Sequence, residues 1–109
     1  MPFIRDGNHI VQYSPNPIFD LSLGTTQIIT LSGDAAASII NSLTKRYTFV
    51  VIQDSNGNHT FTWPSNFRGA GPITPLDDTA EANTIATQTF DYIYFLNQFV
   101  ATSPIVYGI

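Results

Sequence analysis

Apolar and polar side chains alternate along this chain with a period of two residues, the spacing of strands that bury one face. Helical periodicity is nearly absent. In "TQIITLSGD" Ile28 lies on one side and Ile29 and Leu31 alternate around it, and the turn-forming cluster Ser32-Gly33-Asp34 ends the run. In "YTFVVIQ" Tyr47, Phe49, Val51 and Gln53 share one face and Thr48, Val50 and Ile52 the other. Both faces are mostly apolar, which predicts a central strand. Asp54, Asn56 and Gly57 then supply a reversal, because Asn and Gly tolerate positive φ, and "HTFTW" is predicted to return antiparallel as the second arm of a hairpin. Phe61 and Trp63 share a face there, and Pro64, which lacks a backbone donor, ends the ladder.

Ser65 to Asn83, rich in Gly and Pro, reads as a long connection wrapping over an edge or an end. Alternation resumes in "TIATQTFDYIYF", with Phe90, Tyr92 and Tyr94 on one face, followed by a turn at "LNQ" and a short returning strand at "FVATS". The alanines of "DAAASIINSL" favour helix, but its Ser, Asn and paired isoleucines between strand neighbours favour a strand. Pro2, Pro15 and Pro17 mark residues 1–20 as an extended N-terminal arm rather than a packed element. The expected fold is all-β: an antiparallel β-sandwich or jelly-roll-like module of about six strands over residues 21–109, preceded by that arm. Phe49, Val51, Phe61, Trp63, Phe90 and Tyr92 are its candidate core, with Pro64 as the exit from the sheet.

Composition narrows the chemistry. Among 109 residues there are four Lys and Arg, eight Asp and Glu and no Cys, for a net charge of −4. Four cations are too few to grip a phosphate backbone, and no apolar run approaches the length of a membrane helix, so neither nucleic acid nor a membrane is an expected partner. The N-terminus lacks a basic region followed by an apolar one, so the chain reads as soluble, unsecreted by the usual signal and complete from Met1. Polarity supplied by neutral Thr, Ser, Asn and Gln suits an oligomer, because these side chains enter subunit contacts without the cost of buried charge. Thr60, Thr62, Gln88 and Asn97 are candidates for such contacts.

The conspicuous side chains have structural readings. Trp63 and Phe61 could stack against a sugar, but two aromatics at i and i+2 near Phe49 and Tyr47 match a sheet core better. Asp54, Asn56 and Asn58 offer oxygens but lack the spacing and distal Glu of a calcium loop. His9 and His59 have no metal-ligand spacing, so no metal or cofactor is expected. Asn58-His59-Thr60 fits a glycosylation sequon without a secretory signal beside it. Asp77, Asp78 and Glu81 read as a solvated loop, and no nucleophile elbow or phosphate-cradling loop occurs, so no enzymatic activity is expected.

Taken together, "GTTQIITLSGD", "YTFVVIQDSNGNHTFTWPSNFRGAG" and "IATQTFDYIYFLNQFVATSP" resemble a β-module of tailed-bacteriophage virion proteins, of the tail-fibre and head-associated kind. The match is most specific at Tyr47, Gln53-Asp54, Gly57, Thr62 to Ser65 and Gly69, and extends from about Gln27 to Ser103. Where members of that family carry a short Asp-Gly type turn before the last strand, this chain has the bulkier "DYIYFLNQFV". The resemblance implies a non-enzymatic structural protein of the virion, a small head decoration or head-fibre protein assembling as a homotrimer on the capsid. Its arm, with Phe3, Ile4, Ile10, Val11 and Tyr13, would anchor it to the capsid or a neighbour. The alternative is a tail-fibre module gripping a host surface glycan with Tyr94, Phe95 and Phe99.

Overall fold

The computed structural model describes residues 7–109. The fold is all-β. Its strands are β1 (Asn8–Val11), β2 (Ile18–Asp20), β3 (Thr26–Leu31), β4 (Ala35–Ala36), β5 (Ser38–Ile40), β6 (Arg46–Gln53), β7 (Phe61–Thr62), β8 (Phe67–Arg68), β9 (Ile85–Ile93), β10 (Gln98–Ala101) and β11 (Val106–Gly108). Among the described residues the main sheet has seven strands in the order β1-β3-β6-β9-β10-β8, with β11 also paired to β9.

The sheet is mixed, which corrects the antiparallel expectation. β1, β3 and β6 run parallel, β9 runs antiparallel to β6, β10 and β11, and β8 runs parallel to β10. The crossovers between the parallel strands form ladders of their own: β2 pairs parallel with β5, and β4 pairs parallel with β7. Residues Asn8 to Thr62 therefore wind as a coil, in which partners such as Asn8 and Thr26, Thr26 and Thr48, or Ile18 and Ser38 lie roughly twenty residues apart. Backbone bonds continue the stacking, with Ala36 N donating to Pro15 O (2.9 Å) on one side and Ala35 N to Thr60 O (2.9 Å) on the other.

Two further expectations change. The alternating runs on either side of Asp54–Asn58 do not form a hairpin with each other. Phe61 leaves the turn to pair with Ala35, while β6 takes β3 and β9 as its neighbours. The turn itself is as the residues require: Gly57 (φ 64°) and Asn58 (φ 61°) are left-handed, and a Cβ on Gly57 would meet the backbone of Ala82 at 2.5 Å. The second change concerns the arm. Asn8–Val11 is the edge strand of the sheet, Val11 and Phe19 are buried, and the Tyr13 hydroxyl donates to Asp34 O at 2.8 Å. Ile10 is exposed, and Phe3 and Ile4 lie outside the described residues.

Alternation is kept strictly in the long strands. In β6, Tyr47, Phe49, Val51 and Gln53 are buried, and in β9, Ala86, Gln88, Phe90 and Tyr92. The core lies between this inner face and the short ladders that cross it. Phe49 is its hub, with ring centroids 5.7 Å from Phe19, 5.4 Å from Phe67, 5.9 Å from Phe90 and 5.9 Å from Trp63. Such tilted and edge-on contacts add to the burial of the rings themselves. The expected β9–β10 hairpin forms, but its turn comes earlier: Tyr94–Leu96 makes a 3-10 turn with a left-handed Asn97 after it, so Tyr94 leaves the face of Phe90 and Tyr92, and Gln98 already belongs to β10.

Candidate interaction surface

Three glutamines are buried on the inner face, and both the nitrogen and the oxygen of each amide are bonded. Gln27 Nε2 donates to Asp20 O (3.2 Å) and Gly24 O (2.7 Å), while its oxygen bonds His9 Nδ1 (2.8 Å). Gln53 exchanges two bonds with the backbone of His59. Gln88 accepts from Gly71 N (2.7 Å) and donates to Gly69 O (3.0 Å) and Ser103 O (2.9 Å). Burying an amide is costly unless its groups are paired, and here the pairing ties the loops onto the sheet. Gln88, expected at a subunit contact, is instead an internal cross-link.

The core residues expected from sequence fall together. Phe49, Val51, Phe61, Phe90 and Tyr92 are buried, and Trp63 is half-buried against them, its Nε1 donating to Gly71 O at 2.8 Å. Pro64 follows the end of β7, and its carbonyl accepts from Phe67 N. Asp54 organises the turn: its Oδ1 accepts from Asn56 N (3.0 Å), Gly57 N (3.1 Å) and His59 Nε2 (2.9 Å). Its partial burial raises the carboxyl pKa, but the bonds from His59, Gly57 and Asn56 outweigh this and leave it below the ordinary value. Both histidines are thus engaged within the chain. Among the described residues, no group of three His, Cys, Asp or Glu could hold a metal ion. Asp77 and Asp78 line a shallow groove with Pro72, Leu76, Ile105 and Tyr107, and Thr74 Oγ1 bonds the Asp77 carboxylate at 2.9 Å.

The outer face of the main sheet is organised differently. Strand register arranges its side chains in rows running across the strands. One row is polar and uncharged: Asn8, Thr26, Thr48 and Thr89, with Thr48 and Thr89 joined hydroxyl to hydroxyl at 2.9 Å. The next is mostly aliphatic: Ile10, Ile28, Val50, Thr87 and Val106. A third holds Thr30, Ile52 and Ile85. Charge is confined to one end, where Arg46 is bidentate on Asp91 (2.8 and 3.3 Å) and Arg68 follows on β8. The Arg46 guanidinium holds the Asp91 carboxyl below its ordinary value, and Asp91 raises the Arg46 pKa in return.

A second feature projects from the same sheet. At the β9–β10 tip Tyr94 is 76% and Phe95 90% exposed, with Leu96 beside them. The base of the tip is fixed: Tyr92 Oη donates to Asn97 Oδ1 (2.8 Å) and Asn66 Nδ2 to Asn97 O (3.0 Å). Phe99, expected among the exposed aromatics, is buried and stacks on Phe67 at 4.4 Å, because it sits on the inward phase of β10. Sequence reasoning missed the outer face as a surface. The signal was present in the alternate positions of β3, β6 and β9, which apart from Arg46 and Asp91 are apolar or Thr. Among the described residues, no helix is long and apolar enough to cross a membrane. Comparison with protein-family models, curated proteins and solved structures finds no match to this chain.

Proposed function

We propose that this chain is a non-enzymatic structural module of a tailed-phage virion, a small head decoration or head-fibre protein assembling as a homotrimer on the capsid. The observation that carries the assembly part is the outer sheet face, whose threonine and aliphatic rows hold no charge, with the Arg46–Asp91 pair confined to one end. A face of that composition is dehydrated at little cost when another protein surface covers it. The resemblance of the β-strand segments to phage virion modules supplies the virion part. Purified chain is expected to co-sediment with undecorated phage heads at a fixed stoichiometry. Recovery of the chain in the supernatant at saturating heads would overturn the virion assignment.

A receptor- or glycan-binding module is the second reading, favoured by the exposure of Tyr94 and Phe95 on a tip whose base is pinned by Asn66 and Tyr92. Rigid aromatic faces suit stacking against sugar rings. That reading expects signal on a glycan array that Phe95→Ser abolishes.

A further inference from the structure

The outer rows differ from the rest of the chain's surface in charge. Among the described acids, Asp20, Asp34, Asp54, Asp77, Asp78 and Glu81 lie outside the strands of the face, Asp54 being held by its own turn at the end of β6, and Asp91 within the face is neutralised by Arg46. With a net charge of −4, two copies repel each other through most orientations but not through this one. We propose that the outer face packs against the same face of a second copy of this chain, the two being related by a rotation axis that runs along the strands.

The direction of the axis follows from the rows. Rotation about an axis along the strands keeps every row at its own height, so aliphatic row meets aliphatic row and the Arg46–Asp91 pairs gather at one rim, where water reaches them. Rotation about an axis across the strands would press the charged row of one copy onto Ile52 and Ile85 of the other, burying charge against hydrocarbon. The strand spacing of about 4.8 Å and rise of about 3.3 Å per residue give the face a projected area of roughly 500–600 Å² per copy. That lies at the lower limit for a specific interface, so the association is expected to be dissociable in free solution. This self-contact rests on the assembly reading above and names its partner surface; because one whole face meets another it closes at two copies, and a trimer would use a different contact.

Light-scattering-coupled chromatography of the full chain should show a mass that rises with concentration. Val50→Arg, at the centre of the aliphatic row, should return it to the single-chain mass with an unchanged circular dichroism spectrum, and Phe95→Ser at the tip should leave the association intact. A single-chain mass at every concentration, or dissociation by Phe95→Ser and not by Val50→Arg, overturns the proposal. Because the chain has no cysteine, Thr48→Cys and Ile52→Cys offer a test that leaves the face's shape nearly intact. With a short thiol cross-linker each variant should link to itself, and linking only in a mixture of the two would refute the axis direction. Head binding separates the two readings: a chain that self-associates but ignores heads retains this contact and loses the virion role, and a monomer that decorates heads does the reverse.

Discussion

Gln88 is bonded at both ends of its amide to the backbone of Gly69, Gly71 and Ser103. Gln88→Leu keeps the side chain's bulk and strands those groups, so a loss of roughly 2–4 kcal/mol is expected in urea denaturation. Trp63 divides the same way into packing and bonding. Trp63→Phe removes only the bond to Gly71 O and part of the ring, an expected loss of about 1–2 kcal/mol, whereas Trp63→Ala should cost about 3–5 kcal/mol. Equal losses for the two variants would show that the indole contributes little besides its N–H. Acid acts on three aspartates. Asp20, bonded by Ser22 and Asn41, and Asp54 and Asp91 as described, all titrate below the ordinary 3.8 in the folded chain. The unfolded chain therefore takes up protons first as pH falls. Their stabilisation is complete above 3.8 and is lost as pH drops through that value toward the folded ones, so the melting temperature should fall in that window. Asp54→Asn should flatten part of the fall.

At the scale of elements, β1 decides what truncation does. Removing residues 1–17 takes away the strand paired to β3, the buried Val11 and the His9 bond to Gln27, and opens the β3 edge. The truncated chain is expected to lose at least roughly 3 kcal/mol and to aggregate through that edge, measured by thermal melting and turbidity. A truncated chain with the melting point of the whole one would show that β1 is an accessory. Strands were legible in the sequence because alternation is local: Tyr47 to Gln53 and Ala86 to Tyr92 each announce their own buried face. Partners were not. The turn at Asp54–Asn58 has the residues of a hairpin, yet it only redirects the chain. Whether Phe61 pairs back onto β6 or onward to Ala35 depends on which edges are already filled, and β3 and β9 fill both edges of β6. The prolines of the arm likewise set its extended backbone without revealing that an extended segment could join the sheet.

For the molecule as a whole, the candidate surface was legible only in composition. Composition showed that charge is sparse, but where the uncharged rows lie needed the register that aligns Ile10, Ile28, Val50 and Thr87 across four strands. The same register fixes how the chain would carry load. β1 and β11 run in the same direction at opposite flanks of the strands between them, with Asn8 at one end of the rows and Gly108 at the other. A pull applied between those two residues runs obliquely over the sheet, about 13 Å along the strands and about 19 Å across them, so the β1–β3 and β11–β9 hydrogen bonds are loaded partly in shear instead of purely opening one at a time. Stretched between Asn8 and Gly108 by an atomic force microscope, the domain should give way at a higher force than when it is pulled straight across the strands, from Ile10 to Val106, which share one row.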